Sequence, residues 1–331
     1  MKRKFEAIVA INLIFVFTIV SIPSLVIFAE FANFNRIDES LTYTYSSTTP
    51  PIKKEMNLNA DVGTIDIRYT TQPVDYLVRV DVNIEMAGPN LNGKSYLDFF
   101  NIGWDNFTSP VNFTLEFISD MLEDFSNLHK ANIIINIMLR TDIIFDINTS
   151  IIEGAIELAN LRSITVNSLF LSVDKGDINC DFNHCTIEGN ITGIVNYGNI
   201  TLKSYNNQFT QNSKLTLINE LGNTLIDIYQ YEEIGANITG TASTKTGIIH
   251  LIYKDDSPNI GAQFILYNKT TQGAEGKNTW DGFERDYLPL SALCEGQYYN
   301  STDFPAQNNY YFSLFKWDGG DYLWNLYSIP L

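Results

Sequence analysis

Three aspartates lie close together in the middle of the chain and are the first candidates for chemistry: Asp174, Asp177 and Asp181. Grouped carboxylates can act as an acid and base pair on a glycosidic bond, or they can bind Ca²⁺. The following stretch offers Asn196 and Asn199 rather than more carboxylates or a basic residue. We therefore interpret the three aspartates as a solvated acidic rim, with a polysaccharide hydrolase or lyase as the alternative.

The histidines and cysteines add little to the candidate chemistry of the three aspartates. His129, His184 and His250 form no metal-binding pair such as H-x-x-x-H. His184 precedes Cys185, but no third residue is identifiable that would orient a Cys–His nucleophile. We predict no enzyme and no catalytic, cofactor or metal site, and leave Ca²⁺ open as a bound ion. The candidate Ca²⁺ loops contain Asp255, Asp256, Asp318 and Asp321.

Covalent modification is the other chemistry that the sequence predicts. Cys180 falls on the interior phase of its strand, whereas Cys185 and Cys294 are a candidate disulfide in an exported protein. Asn-x-Ser/Thr triplets, the acceptor sites of N-glycosylation, begin at Asn106, Asn112, Asn148, Asn190, Asn199, Asn237, Asn268 and Asn300.

The composition limits the class of protein. The 331 residues include 38 acidic and 21 basic side chains, which gives a formal net charge of −17. No basic face is available for phosphate backbones, so nucleic acid is excluded as a partner. Apolar residues make up 45% of the chain, which is incompatible with disorder over most of its length.

The N-terminus is typical of an exported protein. Residues 2–4 are basic, and an apolar run over residues 7–29 follows. This pattern predicts a signal anchor, or alternatively a cleaved signal peptide, within residues 1–30. We expect a single-pass cell-membrane protein with an extracellular body, anchored through this helix, or alternatively a secreted protein. The Ser/Thr/Pro-containing residues 31–55 are interpreted as a stalk.

A repeat with a period near 22 residues organises the body of the chain. Each of five glycines is followed by a strand of alternating apolar residues, and the spacings are 22, 22, 24 and 25: Gly154, Gly176, Gly198, Gly222 and Gly247. One such unit cannot bury its own apolar face, but stacked units can. Stacking would place residues of successive units side by side in two interior rows, Ile156–Ile178–Ile200 and Leu158–Cys180–Leu202. A β-sandwich with accidental glycine spacing is the alternative.

The flanking segments complete the predicted fold. An earlier copy of the unit spans residues 58–67, and residues 115–128 have the spacing of an amphipathic helix. Two aromatic strands around Gly319-Gly320 predict a hairpin. The predicted fold is all-β: a parallel β-solenoid over residues 56–255, with a helical insert near 88–130, an N-terminal membrane helix and a C-terminal β cap over 256–331.

The glycine-containing units resemble the putative adhesin family of β-helix ectodomains, which are envelope proteins of bacteria and archaea. The resemblance covers residues 58–84 and 143–253, and it implies a right-handed parallel β-solenoid at the cell envelope without catalytic residues. Taken together, we predict a non-enzymatic, adhesin-like surface protein that binds surface glycans or other envelope proteins. The alternatives are a β-helix polysaccharide-active enzyme and the ectodomain of an envelope-stress sensor.

Overall fold

The structure is a computed structural model of the whole chain. It describes residues 35–71, 74–89, 91–106, 109–118, 126–255, 259–268, 279–281, 283–288, 295–301, 304–316 and 322–328.

The described residues are all-β. The first half contains β1 (Asn35–Tyr45), β2 (Lys53–Thr70), β3 (Val78–Gly88), the 3₁₀ turn η1 (Tyr96–Asp98), β4 (Phe100–Asp105), β5 (Val111–Phe117), β6 (Lys130–Arg140), β7 (Ile144–Arg162) and β8 (Thr165–Asn183). The middle contains β9 (Thr186–Ile187), β10 (Ile191–Tyr197), β11 (Ile200–Tyr205), β12 (Gln208–Phe209), β13 (Ser213–Leu221), β14 (Thr224–Gln230), β15 (Ile238–Thr246) and β16 (Ile249–Asp255). The last strands are β17 (Ile260–Asn268), β18 (Thr279–Asp281), β19 (Phe283–Leu288), β20 (Glu295–Ser301), β21 (Asn308–Lys316) and β22 (Tyr322–Ser328).

The chain divides into two compact units. The smaller one comprises Met1–Glu39, Ile84–Phe99 and Ile118–Asn132. Within it, the Glu85 carboxylate forms ion pairs with Arg36 at 2.9 Å and with Lys130 at 2.7 Å. The hydrogen bond from Lys130 is the largest cause of the lowered pKa of Glu85, and the positive charges of Lys130 and Arg36 add to it.

The larger unit comprises Ser40–Asn83, Phe100–Phe117 and Ile133–Leu331. Its strands stack in parallel with equivalent residues side by side. Ile178 lies opposite Ile156 on one side and opposite Ile200 on the other. All three are at most 1% exposed, so the first predicted interior row is confirmed. Leu158, Cys180 and Leu202 form the second row in the same register.

A row of glycines turns the chain at one corner of this stack. Gly176 pairs with Gly154, and Gly154 pairs with Gly63, which confirms the earlier copy of the unit. The five repeat glycines have φ between 133° and 146°. A Cβ at any of them would lie 1.6–1.9 Å from the carbonyl oxygen of the preceding glycine in the row. The corner therefore admits only glycine, because both the backbone conformation and the close approach of the next turn forbid a side chain.

The predicted fold class is nevertheless wrong as a whole, because the sheet is mixed and is not a closed parallel solenoid. β4 and β5 pair antiparallel, as do β17 with β20 and β19 with β20. The predicted C-terminal hairpin is also wrong. β21 pairs in parallel with β15, and β22 pairs in parallel with β16, because the aromatic alternation of these strands matches the rows already present.

The predicted helical insert is corrected at its start. Leu115 belongs to strand β5, where Val111, Phe113 and Leu115 are all buried in strict alternation. β5 pairs in parallel with β2 and antiparallel with β4, so a period of two governs this stretch rather than a helical period. Residues 119–125 of the predicted helix lie outside the described residues.

The described part of the chain has no helix long and apolar enough to cross a bilayer. The predicted membrane helix, the membrane as a partner and the cell-membrane location are corrected accordingly, since the structure gives them no support. The apolar run at 7–29 itself lies outside the described residues. The predicted domain boundaries stay predictions.

Candidate carbohydrate-binding surface

The central aspartates hold successive turns of the chain together. Asp177 Oδ1 accepts hydrogen bonds from the backbone N–H of Asn199 at 2.8 Å and from its side chain at 3.0 Å. Asn199 Oδ1 in turn accepts from Asn223 N at 3.1 Å, and Asn223 Oδ1 accepts from Ile248 N at 3.0 Å. This polar ladder beside the glycines satisfies backbone donors that would otherwise lack a partner at the corner.

The three candidate aspartates all lie on β8 and have different neighbours. Asp174 accepts a hydrogen bond from Asn196 Nδ2 at 2.8 Å, Asp177 belongs to the polar ladder, and Asp181 lies opposite Lys203 of β11. Among the described residues, no group of three or more His, Cys, Asp or Glu side chains is placed to hold a metal ion. Asp256, Asp318 and Asp321 lie outside them.

His184 and Cys185 do not form a nucleophilic pair. The ring nitrogens of His184 contact Asn183 Oδ1 at 2.5 Å and Tyr231 Oη at 3.1 Å. Cys185 is fully buried, and its Sγ donates to the carbonyl of Leu161 at 3.3 Å. Burial raises the pKa of this thiol. Cys294 lies outside the described residues, so the Cys185–Cys294 disulfide stays a prediction.

The predicted glycosylation sites are distributed over the surface of several strands. Asn148, Asn190 and Asn199 are exposed, whereas Asn106, Asn112, Asn237 and Asn300 are half-buried. The side chain of Asn268 is outside the described part. Glycan occupancy at these positions stays a prediction.

The structure assembles a tyrosine cluster at the end opposite the glycines on the same strands. We define it as His184, Tyr205, Tyr229 and Tyr231. Tyr205 lies directly opposite Tyr229, and their ring centroids are 6.5 Å apart. Tyr231 follows at 5.5 Å from Tyr229, and the His184 ring packs edge-on against Tyr231 at 6.2 Å. Tyr231 is 42% exposed, so the cluster ends in an open ring.

Charged side chains surround the tyrosine cluster. Tyr205 Oη donates to Asp227 at 3.0 Å, and the Lys254 ammonium lies 4.8 Å from the Tyr229 ring centroid. Burial and this hydrogen bond raise the pKa of Tyr205, which stays a neutral donor at physiological pH. In the adjacent row, Lys203 lies between Asp181 on one neighbouring strand and Asp227 on the other, so acceptor and donor groups alternate across the strands.

This arrangement matches the two requirements of sugar recognition. Pyranose rings present C–H faces that pack on aromatic rings, and they carry hydroxyl groups that both donate and accept hydrogen bonds. The tyrosine cluster supplies rings whose centroids lie 5.5–6.5 Å apart, with carboxylate and ammonium groups beside them. The surface is therefore suited to hold a saccharide chain running across the strands.

Sequence reasoning missed the tyrosine cluster, although a signal for it was present. Tyr205 and Tyr229 are 24 residues apart, the same spacing as Gly198 and Gly222. The repeat is defined by the apolar phase of each unit, whereas these tyrosines stand on the outward phase. Tyr231 lies just beyond strand β14, where alternation no longer assigns a side chain to a face.

Comparison with known proteins does not identify the chain. No family model and no curated protein sequence matches it. Among solved structures, a putative cell adhesion protein from Clostridium sporogenes matches with a TM-score of 0.33 and 11% identity, over 88% of this chain and 100% of that one. A putative adhesin from Bacteroides fragilis gives 0.33 and 11%, over 89% and 97%.

A putative lipid binding protein from Parabacteroides distasonis matches with a TM-score of 0.25 and 10% identity, over 89% of this chain and 97% of that one. At these scores and identities the likeness carries no function to this chain, so the family remains a resemblance.

Proposed function

We propose that this chain is a non-enzymatic, adhesin-like protein of the cell envelope that binds glycan chains through the tyrosine cluster. The observation that carries the proposal is the cluster of neighbouring rings at Tyr205, Tyr229 and Tyr231, flanked by Asp227 and Lys254. The hydroxyl groups of Tyr205 and Tyr231 already have hydrogen-bond partners, and the Tyr231 ring is exposed. Such rings favour binding of a sugar by stacking over chemical turnover.

The candidate carboxylates support the choice of a binding protein over a polysaccharide-active enzyme. A glycosidase needs two carboxyl groups that face each other across the scissile bond, ~5–9.5 Å apart. Asp174 and Asp177 each accept a hydrogen bond from the next turn of the chain, from Asn196 and Asn199 respectively, which gives both carboxylates a structural partner. In this proposal they stabilise the stack and take no part in bond cleavage.

The test is a glycan panel incubated with the purified full chain and scored both for retention and for cleavage products. We expect retention of at least one saccharide class and no shortened products. Cleavage that disappears in Asp177→Ala, while that variant stays folded and still retains the glycan, would replace the binding protein with an enzyme.

A further inference from the structure

A groove of about 470 Å³ lies near the N-terminal end of the larger unit and contains two arginines in a chain of net charge −17. We define the arginine groove by its polar lining: Ser40, Thr42, Arg68, Tyr76, Arg79, Asp81, Asn83 and Asn136. It lies on β1, β2, β3 and β6 and shares no residue with the tyrosine cluster. On the sheet, β2 is separated from β11 by β7 and β8.

Each arginine is fixed by an aspartate two residues away on its own strand. Arg68 Nε donates to Asp66 Oδ1 at 3.0 Å, and its Nη2 binds the other oxygen of the same carboxylate. Arg79 Nε donates to Asp81 at 2.9 Å, and Thr42 Oγ1 donates to the same carboxylate at 2.6 Å. These contacts hold the guanidinium planes in place, because a charge-assisted bond to a planar fork fixes its orientation.

The cations of these pairs are open to solvent and the anions are covered. The Arg68 side chain is 61% exposed, against 14% for Asp66. The Arg79 side chain is 42% exposed, against 23% for Asp81. A guanidinium carries five N–H donors, and the paired aspartate uses only part of them. The groove therefore presents guanidinium donors to a ligand. The Asp66 carboxylate is largely covered, and Asp81 lines the groove with its carboxylate already bonded to Arg79 and Thr42.

The remaining lining determines what kind of anion fits. Ser40 and Asn83 are hydrogen-bonded to each other at 2.8 Å and stand beside the guanidinium groups. Tyr76 adds a half-buried ring. Hydroxyl, amide and aromatic groups match the hydroxyls and C–H face of a sugar, and the guanidinium forks match a carboxylate bidentately.

We propose that the arginine groove is a second binding site, specific for acidic saccharides, in which Arg68 and Arg79 hold the carboxylate of a uronate residue. The proposal stands independently of the tyrosine cluster, since it names a different ligand class and different residues.

The test measures binding of a short oligogalacturonate and of its carboxyl-reduced, neutral counterpart to the full chain by calorimetry. We expect the acidic ligand to bind at least about tenfold more tightly, and Arg68→Gln/Arg79→Gln to abolish that preference. Arg140→Gln is the matched control. Arg140 also pairs with an aspartate two residues away, Asp142 at 2.9 Å, but its side chain is 19% exposed and does not line the groove, so the variant changes the net charge alone.

Equal binding of the acidic and reduced ligands, or no binding of either, would overturn the proposal. An equal loss in Arg140→Gln would also overturn it, because general charge attraction would then explain the preference. Thermal unfolding of each variant shows that it is folded. Tyr229→Ala/Tyr231→Ala should leave oligogalacturonate binding unchanged, which separates failure of this proposal from failure of the tyrosine cluster.

Discussion

The two ends of strands β11 and β14 are built by different physics. At their starts stand Gly198 and Gly222, whose φ of 145° and contact with the preceding turn leave no room for a Cβ. Near their ends stand Tyr205 and Tyr229, whose rings face outward and contact one another. One end is fixed by the backbone, and the other is available for a ligand.

This difference shows how a repeated strand can acquire a binding surface. Stability depends on the glycine corner and the interior rows, which every unit must keep. The outward positions near the opposite end carry little of the packing, so they are free to hold the rings and charges of a binding site. Substitutions at the two ends should therefore separate stability from binding.

The largest loss of stability is expected at the glycine corner. In Gly198→Ala the new Cβ would lie 1.9 Å from the Gly176 carbonyl oxygen, so the turn must move. We expect a loss of about 3 kcal/mol or more in the free energy of unfolding, measured by urea denaturation.

Gly93→Ala is the control for this loss. Gly93 also has positive φ, 74°, but a Cβ at this position would have no atom of the described residues within 4 Å. We expect the substitution to cost ~1–2 kcal/mol, from the backbone conformation alone. Similar losses at Gly93 and Gly198 would contradict the claim that backbone contact excludes a side chain from the glycine row.

Alkaline pH should weaken the interior rows. Burial raises the pKa of Cys180 from 9.0 to about 12, so the unfolded chain releases this proton first. Because the pKa is raised in the folded state, the contribution of this thiol to stability is fully present below pH 9.0 and is lost as the pH rises toward 12. We expect a slope of roughly 1 kcal/mol per pH unit from this group, measured by urea denaturation between about pH 9 and 10.

Cys180→Ala should reduce that slope without removing it, because burial also raises the pKa of Cys185. A slope that is unchanged in Cys180→Ala would mean that the thiol titrates normally and is not buried in the row.

A smaller loss is expected at the polar ladder. Asn199→Ala removes the acceptor for Asn223 N and the donor to Asp177, which should cost ~1 kcal/mol. Asn196→Ala removes only the exposed contact with Asp174 and should cost less than ~0.5 kcal/mol. Thermal unfolding of both variants decides this, and equal midpoints would show that the ladder adds nothing to the stack.

The interior could be predicted from the sequence, and the outer surface could not. Ile156, Ile178 and Ile200 recur with the glycines, so period and alternation together fixed their register. The antiparallel partners β4 and β20 have no counterpart in the repeat, and alternation alone does not distinguish parallel from antiparallel pairing. Tyr231 and Arg79 lie in the two proposed binding surfaces, which also contain residues of distant segments, such as His184 beside Tyr231 and Thr42 beside Arg79.

The smallest effect on stability is expected at the tyrosine cluster. Tyr231 is 42% exposed, so Tyr231→Ala should change the free energy of unfolding by less than ~0.5 kcal/mol in urea denaturation. A loss comparable to that of Gly198→Ala would mean that the tyrosine end is as structural as the glycine end.

The most direct test of the account is retention on the glycan panel by the full chain and by Tyr229→Ala/Tyr231→Ala. Tyr197→Ala is the control, because Tyr197 is 55% exposed but lies on β10, away from the cluster. We predict that the double variant loses at least about tenfold in affinity for the neutral glycans that the chain retains, while Tyr197→Ala binds as before. Unchanged binding by the folded double variant, or a panel on which the chain retains no glycan, would contradict the account.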